Sequence, residues 1–128
     1  MKLLLDTHIW IWSLLEPARI KPRIAKALES PANEKWLSPI SIWECMVLVE
    51  KGRLKLNMDV EEWIAHALTE FPPREAPLTT EVVLAMSKIH LPHRDPADAF
   101  LAATAKVFQL TLVTVDTQLR TAKGIPFL

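Results

Sequence analysis

Cysteine and glycine are nearly absent from this 128-residue chain, and net charge is absent altogether. One cysteine, Cys45, permits no internal disulfide and no cysteine-based zinc site, a usage that fits a reducing cytoplasm. Two isolated glycines form neither a phosphate-cradling loop nor a nucleophile elbow. The 15 basic and 15 acidic residues cancel. That argues against nucleic-acid binding by bulk charge, yet leaves room for a local basic surface. No apolar run reaches membrane-spanning length, so no membrane partner is expected. The first apolar run meets Asp6 too early for a secretory signal. What the chain has in quantity is apolar side chains, half of all residues, among them five tryptophans. Such a chain has enough apolar surface for a real core, and its length suits one domain over 1–128. Tryptophan in this number serves the core and is also common at protein interfaces.

Leu3-Leu4-Leu5 reads as a strand buried on both faces, because the apolar run is continuous rather than alternating. Asp6-Thr7 opens a helix that stops at Glu16-Pro17. A second helix is expected from about Ile20 to Leu28, with Arg19, Lys21, Arg23 and Lys26 on or beside its polar side. Trp36-Leu37 is a very short strand candidate. Ser38-Pro39 is an N-cap followed by proline at the first helical position, and Gly52 closes that helix. Its apolar positions Ile40, Trp43, Val47 and Leu48 are expected to share a face with Glu44. Asp59 with Glu62 marks another helix start, and Val60, Trp63, Ile64, Ala67, Leu68 and Phe71 form its apolar stripe. A short helix from Thr79 or Thr80 to about Ile89 and a loop through Arg94 follow. Asp95-Pro96-Ala97-Asp98 opens an alanine-rich helix over about Ala99–Phe108. Leu110–Val115 reads as a buried strand ending at Asp116. A short helix over Thr117–Lys123 and a last strand over Ile125–Leu128 complete the pattern. Strands alternating with helices imply an α/β sandwich, with a small parallel sheet covered on both faces.

Four acids recur in one kind of place. Asp6 and Asp116 each end a strand, while Glu44 and Asp98 lie early in helices. Each alone has an ordinary explanation as a cap or a partner of the helix dipole. Together they are harder to dismiss, because Glu44 and Asp98 align with apolar stripes, where an unpaired charge is costly. If they converge they also repel: at ~4 Å and an effective dielectric near 20, each pair costs about 4 kcal/mol. Oxygen ligands suit a hard divalent cation, Mg²⁺ or Mn²⁺. A cation held this way and open to water suits phosphodiester hydrolysis, which needs no side-chain nucleophile.

Asp6-Thr7 after the first strand, Glu44 in Ser41-Ile42-Trp43-Glu44, Asp98 before Ala99-Phe100-Leu101-Ala102-Ala103-Thr104-Ala105, and Asp116 after Val113-Thr114-Val115 together resemble a PIN domain. The likeness spans essentially the whole chain, in the family's order, and is nearest to the VapC-type toxins of type II toxin–antitoxin pairs. It implies a three-layer α/β/α sandwich and an Mg²⁺- or Mn²⁺-dependent ribonuclease of the cytoplasm. Asp6, Glu44 and Asp98 then match the metal-binding acids, and Asp116 matches a more variable fourth. Thr7 and Thr114 match polar positions that orient the acids. Asp95 is an alternative third ligand by position, and otherwise the cap of its helix. The resemblance further implies an RNA substrate, a cognate antitoxin and a homodimer. Arg19, Lys21, Arg23, Lys26 and Arg94 are the candidate RNA contacts, with Lys51, Arg53 and His93 as further basic positions.

Two other readings compete. A Mg²⁺-dependent phosphatase with Asp6 as nucleophile would need an acid two residues later, and His8 stands there. A non-catalytic binding module would use the acids only as caps.

Overall fold

The computed structural model describes residues 1–92 and 95–128. Among these residues four strands form one parallel sheet in the order β3-β2-β1-β4, with β1 over Lys2–Leu5, β2 over Glu34–Leu37, β3 over Arg74–Glu75 and β4 over Thr111–Val113. β1 lies between β2 and β4, with Leu4 opposite Trp36 on one side and Leu112 on the other. The chain moves to one side of β1 for β2 and to the other for β4. The carboxyl ends of β1 and β4 therefore flank a topological switch, the usual place for a ligand site in open α/β sheets.

Strand alternation divides the core in two. Leu3 and Leu5 face a cluster with Ile9, Trp10, Ile24, Leu28, Cys45, Trp63 and Ile64. Leu4 faces the opposite cluster of Leu101, Ala102, Ala105, Leu110, Leu112 and Leu119. A strand in the middle layer must be apolar on both faces, which is why β1 reads as an unbroken leucine run. The helices that cover it are α1 (Thr7–Leu15), α2 (Pro22–Glu29), α3 (Pro39–Glu50), α4 (Val60–Glu70), α5 (Thr80–Met86) and α6 (Pro96–Phe108). The expected three-layer sandwich is the observed architecture.

Several elements differ from the sequence reading, each for a local reason. β3 was not expected: two exposed residues after Pro72-Pro73 carry no alternation to detect, yet Trp36 and Leu37 register with Arg74 and Glu75. β4 is shorter than Leu110–Val115, because Thr114 turns out of the ladder and Val115 is exposed. The segment 125–128 forms a parallel bridge between Phe127 and Leu112 rather than a full strand. Pro126 has no N–H to extend a ladder. The expected helix over 117–123 is a single 3₁₀ turn, Leu119–Thr121. α5 ends at Met86, and tighter turns carry the chain on to Ile89. α6 begins earlier than Ala99, at Pro96, because Asp95 caps it.

The face of α3 is also corrected. Ser41 and Cys45 are its buried residues, whereas Trp43 is 56% exposed and Ile40, Val47 and Leu48 are half-buried. The apolar residues on this helix run nearly all the way round, so periodicity alone could not orient it. Phe71 likewise leaves the α4 stripe and is exposed at the helix end.

Candidate active site

Asp6 passes from the end of β1 to the start of α1 in one residue. Its N–H donates to the Val113 carbonyl at 3.0 Å, one step beyond the β1–β4 ladder. Its side chain is buried and doubly held. The Thr7 N–H donates to Oδ1 at 2.7 Å, and the Thr114 hydroxyl donates to Oδ2 at 2.6 Å. Thr114 in turn accepts from the Asp116 N–H at 3.0 Å. One hydroxyl thus fastens the carboxylate of β1 to the chain leaving β4, which requires both strand ends to lie side by side.

Glu44 comes from α3, which packs against both α1 and α6. Its Oε1 accepts from the Thr7 hydroxyl, and Ser41 Oγ lies 2.9 Å from the same Thr7 oxygen. Thr7 has a single hydroxyl proton. When Glu44 is ionised, Thr7 donates its hydroxyl proton to the carboxylate, so Ser41 is the donor to Thr7 and the chain of bonds runs Ser41 to Thr7 to Glu44. The observed cap of α3 is Ser38, whose Oγ accepts from the Ile40 N–H at 3.1 Å. Ser41 is the polar group that sequence reasoning missed. The available signal was its position three residues before Glu44, on the same side of the helix.

Asp98 is buried in the first turn of α6. Asp95 caps that helix, its Oδ1 accepting from the N–H groups of Ala97 at 3.0 Å and Asp98 at 3.5 Å. Asp116 is half-buried and stands just before the 3₁₀ turn, its Oδ1 accepting from the N–H groups of Gln118 at 2.8 Å and Leu119 at 3.1 Å.

Burial pushes the Glu44 carboxyl up to about 7, against the Thr7 hydrogen bond, and the charges of Asp6, Asp95 and Asp98 push the same way. Burial also raises Asp6, opposed by its bonds from Thr114 and Thr7 and by His8, while Asp116 adds to the rise. Glu44 therefore senses three of the other acids, and Asp6 senses the fourth. Even so, among the described residues no three His, Cys, Asp or Glu side chains stand close enough to cage a metal ion. The acids are neighbours, not a closed ligand set. In chemistry the donors fit a hard divalent cation: oxygen atoms only, mutually repelling, one of them prone to take up a proton.

Arg19, Lys21, Arg23 and Lys26 are all exposed, with Ile24 and Leu28 turned into the core. His93 and Arg94 lie outside the described residues.

A family model described as the PIN domain matches residues 3–125. The chain belongs to the PIN-domain family. It is 33% identical over 120 residues to Ribonuclease VapC22 of Mycobacterium tuberculosis, across 91% of this chain and 88% of that protein. The fold is similar to that of VapBC2 from Rickettsia felis, solved bound to a DNA fragment from their promoter. The TM-score is 0.73 at 16% identity, over 100% of this chain and 98% of the other. A toxin–antitoxin complex from Klebsiella pneumoniae matches with a TM-score of 0.58 at 25% identity, over 98% and 95% of the two chains. The PIN match encloses every acid discussed above. Among the described residues no helix is long and apolar enough to cross a membrane.

Proposed function

We infer that this PIN-domain chain is an endoribonuclease that hydrolyses RNA phosphodiester bonds, and the toxin of a type II toxin–antitoxin pair. The observation that supports the reading is that Thr7 bonds both Asp6 and Glu44, and Thr114 bonds Asp6, where β1 and β4 end side by side. It occurs in a chain one-third identical to a ribonuclease. Residues 1–128 act as one unit. Asp6, Glu44 and Asp98 are the residues that would hold a divalent cation, Mg²⁺ or Mn²⁺, with Asp116 beside them as a fourth acid. When bound, the cation polarises the scissile phosphate and lowers the pKa of attacking water.

The chain's own residues prepare that step. Thr114 and the Thr7 N–H fix both oxygens of Asp6. Thr7, steadied by Ser41, fixes Oε1 of Glu44. With its carboxyl pushed up to about 7, Glu44 is part-protonated near neutral pH in the metal-free protein and would give up that proton to serve as a ligand. Asp95 sets the first turn of α6 and so the position of Asp98. RNA lies along the basic segment of Arg19, Lys21, Arg23 and Lys26, and Arg94 adds a further phosphate contact. An antitoxin covers the site in the silenced state, and the active chain is a cytoplasmic homodimer.

The test is cleavage of a structured RNA with Mg²⁺, with Mn²⁺ and with a chelator. Parent protein should cut only with metal, and Asp6→Asn and Asp98→Asn should each lose at least about 100-fold. Circular dichroism should show both variants folded. Folded variants that cut as well as the parent would remove these residues from the site. A parent that cuts with neither metal would remove the nuclease reading itself.

A further inference from the structure

The outward face of α1 is narrow. Ile9, Trp10 and Ile11 are buried, leaving His8, Trp12 and Leu15 along one line at the i, i+4, i+7 spacing. Two of these belong to a row of flat groups. The rings of His8 and Trp12 lie 5.6 Å apart, tilted by 54°. The guanidinium of Arg19 sits over the Trp12 ring, with Cζ 4.2 Å from its centre. Glu16 Oε2 holds Arg19 Nη1 at 3.0 Å from the side. The row begins two residues after Asp6 and ends at the head of the basic segment. The hydrogen bonds that position Asp6 and Glu44 do not use it.

Each member has a distinct capacity. His8 is exposed, so its ring offers a flat face to an unstacked base. A guanidinium lying on an indole keeps its N–H groups at its edge. Arg19 carries five donors, and Glu16 engages one nitrogen, which leaves others for phosphate oxygens. Trp12 is half-buried, packed against the core, and is the fixed support for both neighbours. We propose that the His8–Trp12–Arg19 row is a track for single-stranded RNA running away from the acidic site. His8 stacks on a nucleobase, Arg19 binds a backbone phosphate, and Trp12 holds the two in register. A duplex would hide its bases within its own stack, so the track selects single strands. The proposal rests on the ribonuclease reading and adds to it where the strand lies and which face is read.

The test is binding of a labelled mixed-sequence oligoribonucleotide, followed by anisotropy in Mg²⁺, with Asp98→Asn as the uncut background. In that background His8→Ala and Arg19→Ala should each weaken single-strand binding by about 5-fold or more. Arg19→Ala should also reduce the slope of log affinity against log salt by about 0.7. Trp12→Phe, which keeps a ring beneath Arg19, should bind within about 2-fold of the background. A duplex of the same sequence should be insensitive to His8→Ala. If both surface variants bind the single strand as the background does, the row serves only to fasten the chain after α1 and the proposal fails. Cleavage by the parent protein is measured alongside. A parent that does not cut overturns the ribonuclease reading, whereas a parent that cuts with unaltered binding in both variants overturns the track alone.

Discussion

Replacing Glu44 by Gln should make the metal-free protein more stable above neutral pH while abolishing its activity. Glu44 binds its proton with a pKa of about 7 in the folded chain, against an ordinary value of 4.5. A carboxyl whose pKa is raised by folding contributes most to stability when protonated, below pH 4.5, and that contribution fades as the pH rises to about 7. At about 1.4 kcal/mol per pH unit, the interval corresponds to a ceiling of about 3 kcal/mol. Glu44 keeps part of its surface in water, so screening reduces this to about 1–2 kcal/mol. Gln cannot ionise, yet its amide oxygen can still accept from Thr7. The two proteins should therefore be about equally stable at pH 4.5. The variant should gain about 1–2 kcal/mol on the parent at pH 8, a few degrees in Tm. Urea denaturation in chelator, at intervals from pH 4.5 to 8, reads the difference directly. Taking the difference cancels the titration of groups common to both. Added Mg²⁺ or Mn²⁺ should then stabilise the parent at pH 8 more than the variant, because only the parent keeps the full ligand set. Parallel stability curves across this range, or a variant weaker than the parent at pH 8, would refute the reasoning.

Three further outcomes follow from packing and hydrogen bonding. Thr114→Val keeps the shape but leaves Asp6 Oδ2 without its hydroxyl donor. It should lower RNA cleavage about 10- to 100-fold and cost about 1–3 kcal/mol in thermal unfolding; parent-like cleavage would show that Asp6 needs no such anchor. Ala102 on α6 is fully buried against Leu4 and Leu112, so Ala102→Leu should destabilise by about 1–3 kcal/mol in denaturant titration; an unchanged midpoint would mean the α6–sheet contact has slack. The Cys45 thiol is buried and pushed up to about 11 by that burial. At pH 8 it should resist alkylation in the folded protein and react promptly in denaturant; stoichiometric labelling of native protein within minutes would contradict this.

The relation between chain and site differs from residue to residue. Asp6 was legible from local order: an unbroken leucine run that stops at an acid places that acid at a strand end. Asp95 was legible too, because an acid before Pro96 at a helix start has a cap's geometry whatever surrounds it. α6 announced its tight packing through its alanines. α3 did not announce its orientation. With Ile, Trp, Cys, Met, Val and Leu nearly encircling it, the choice of Ser41 and Cys45 as the buried line depended on α1 and α6. β3 was invisible because two exposed residues carry no periodic signal, and their strand character exists only beside β2.

The sequence by itself determined the layer order, the parallel sheet and the candidate acids, since these follow from short-range patterns of burial and chain reversal. Tertiary structure decided which bonds Thr7 and Thr114 make to Asp6 and Glu44. The Thr114 hydroxyl reaches Asp6 across 108 positions of sequence, and Thr7 meets Glu44 and Ser41 across 37 and 34. Hydrogen bonds of that span depend on how β4 is laid beside β1 and how α3 is turned, and no local propensity encodes either.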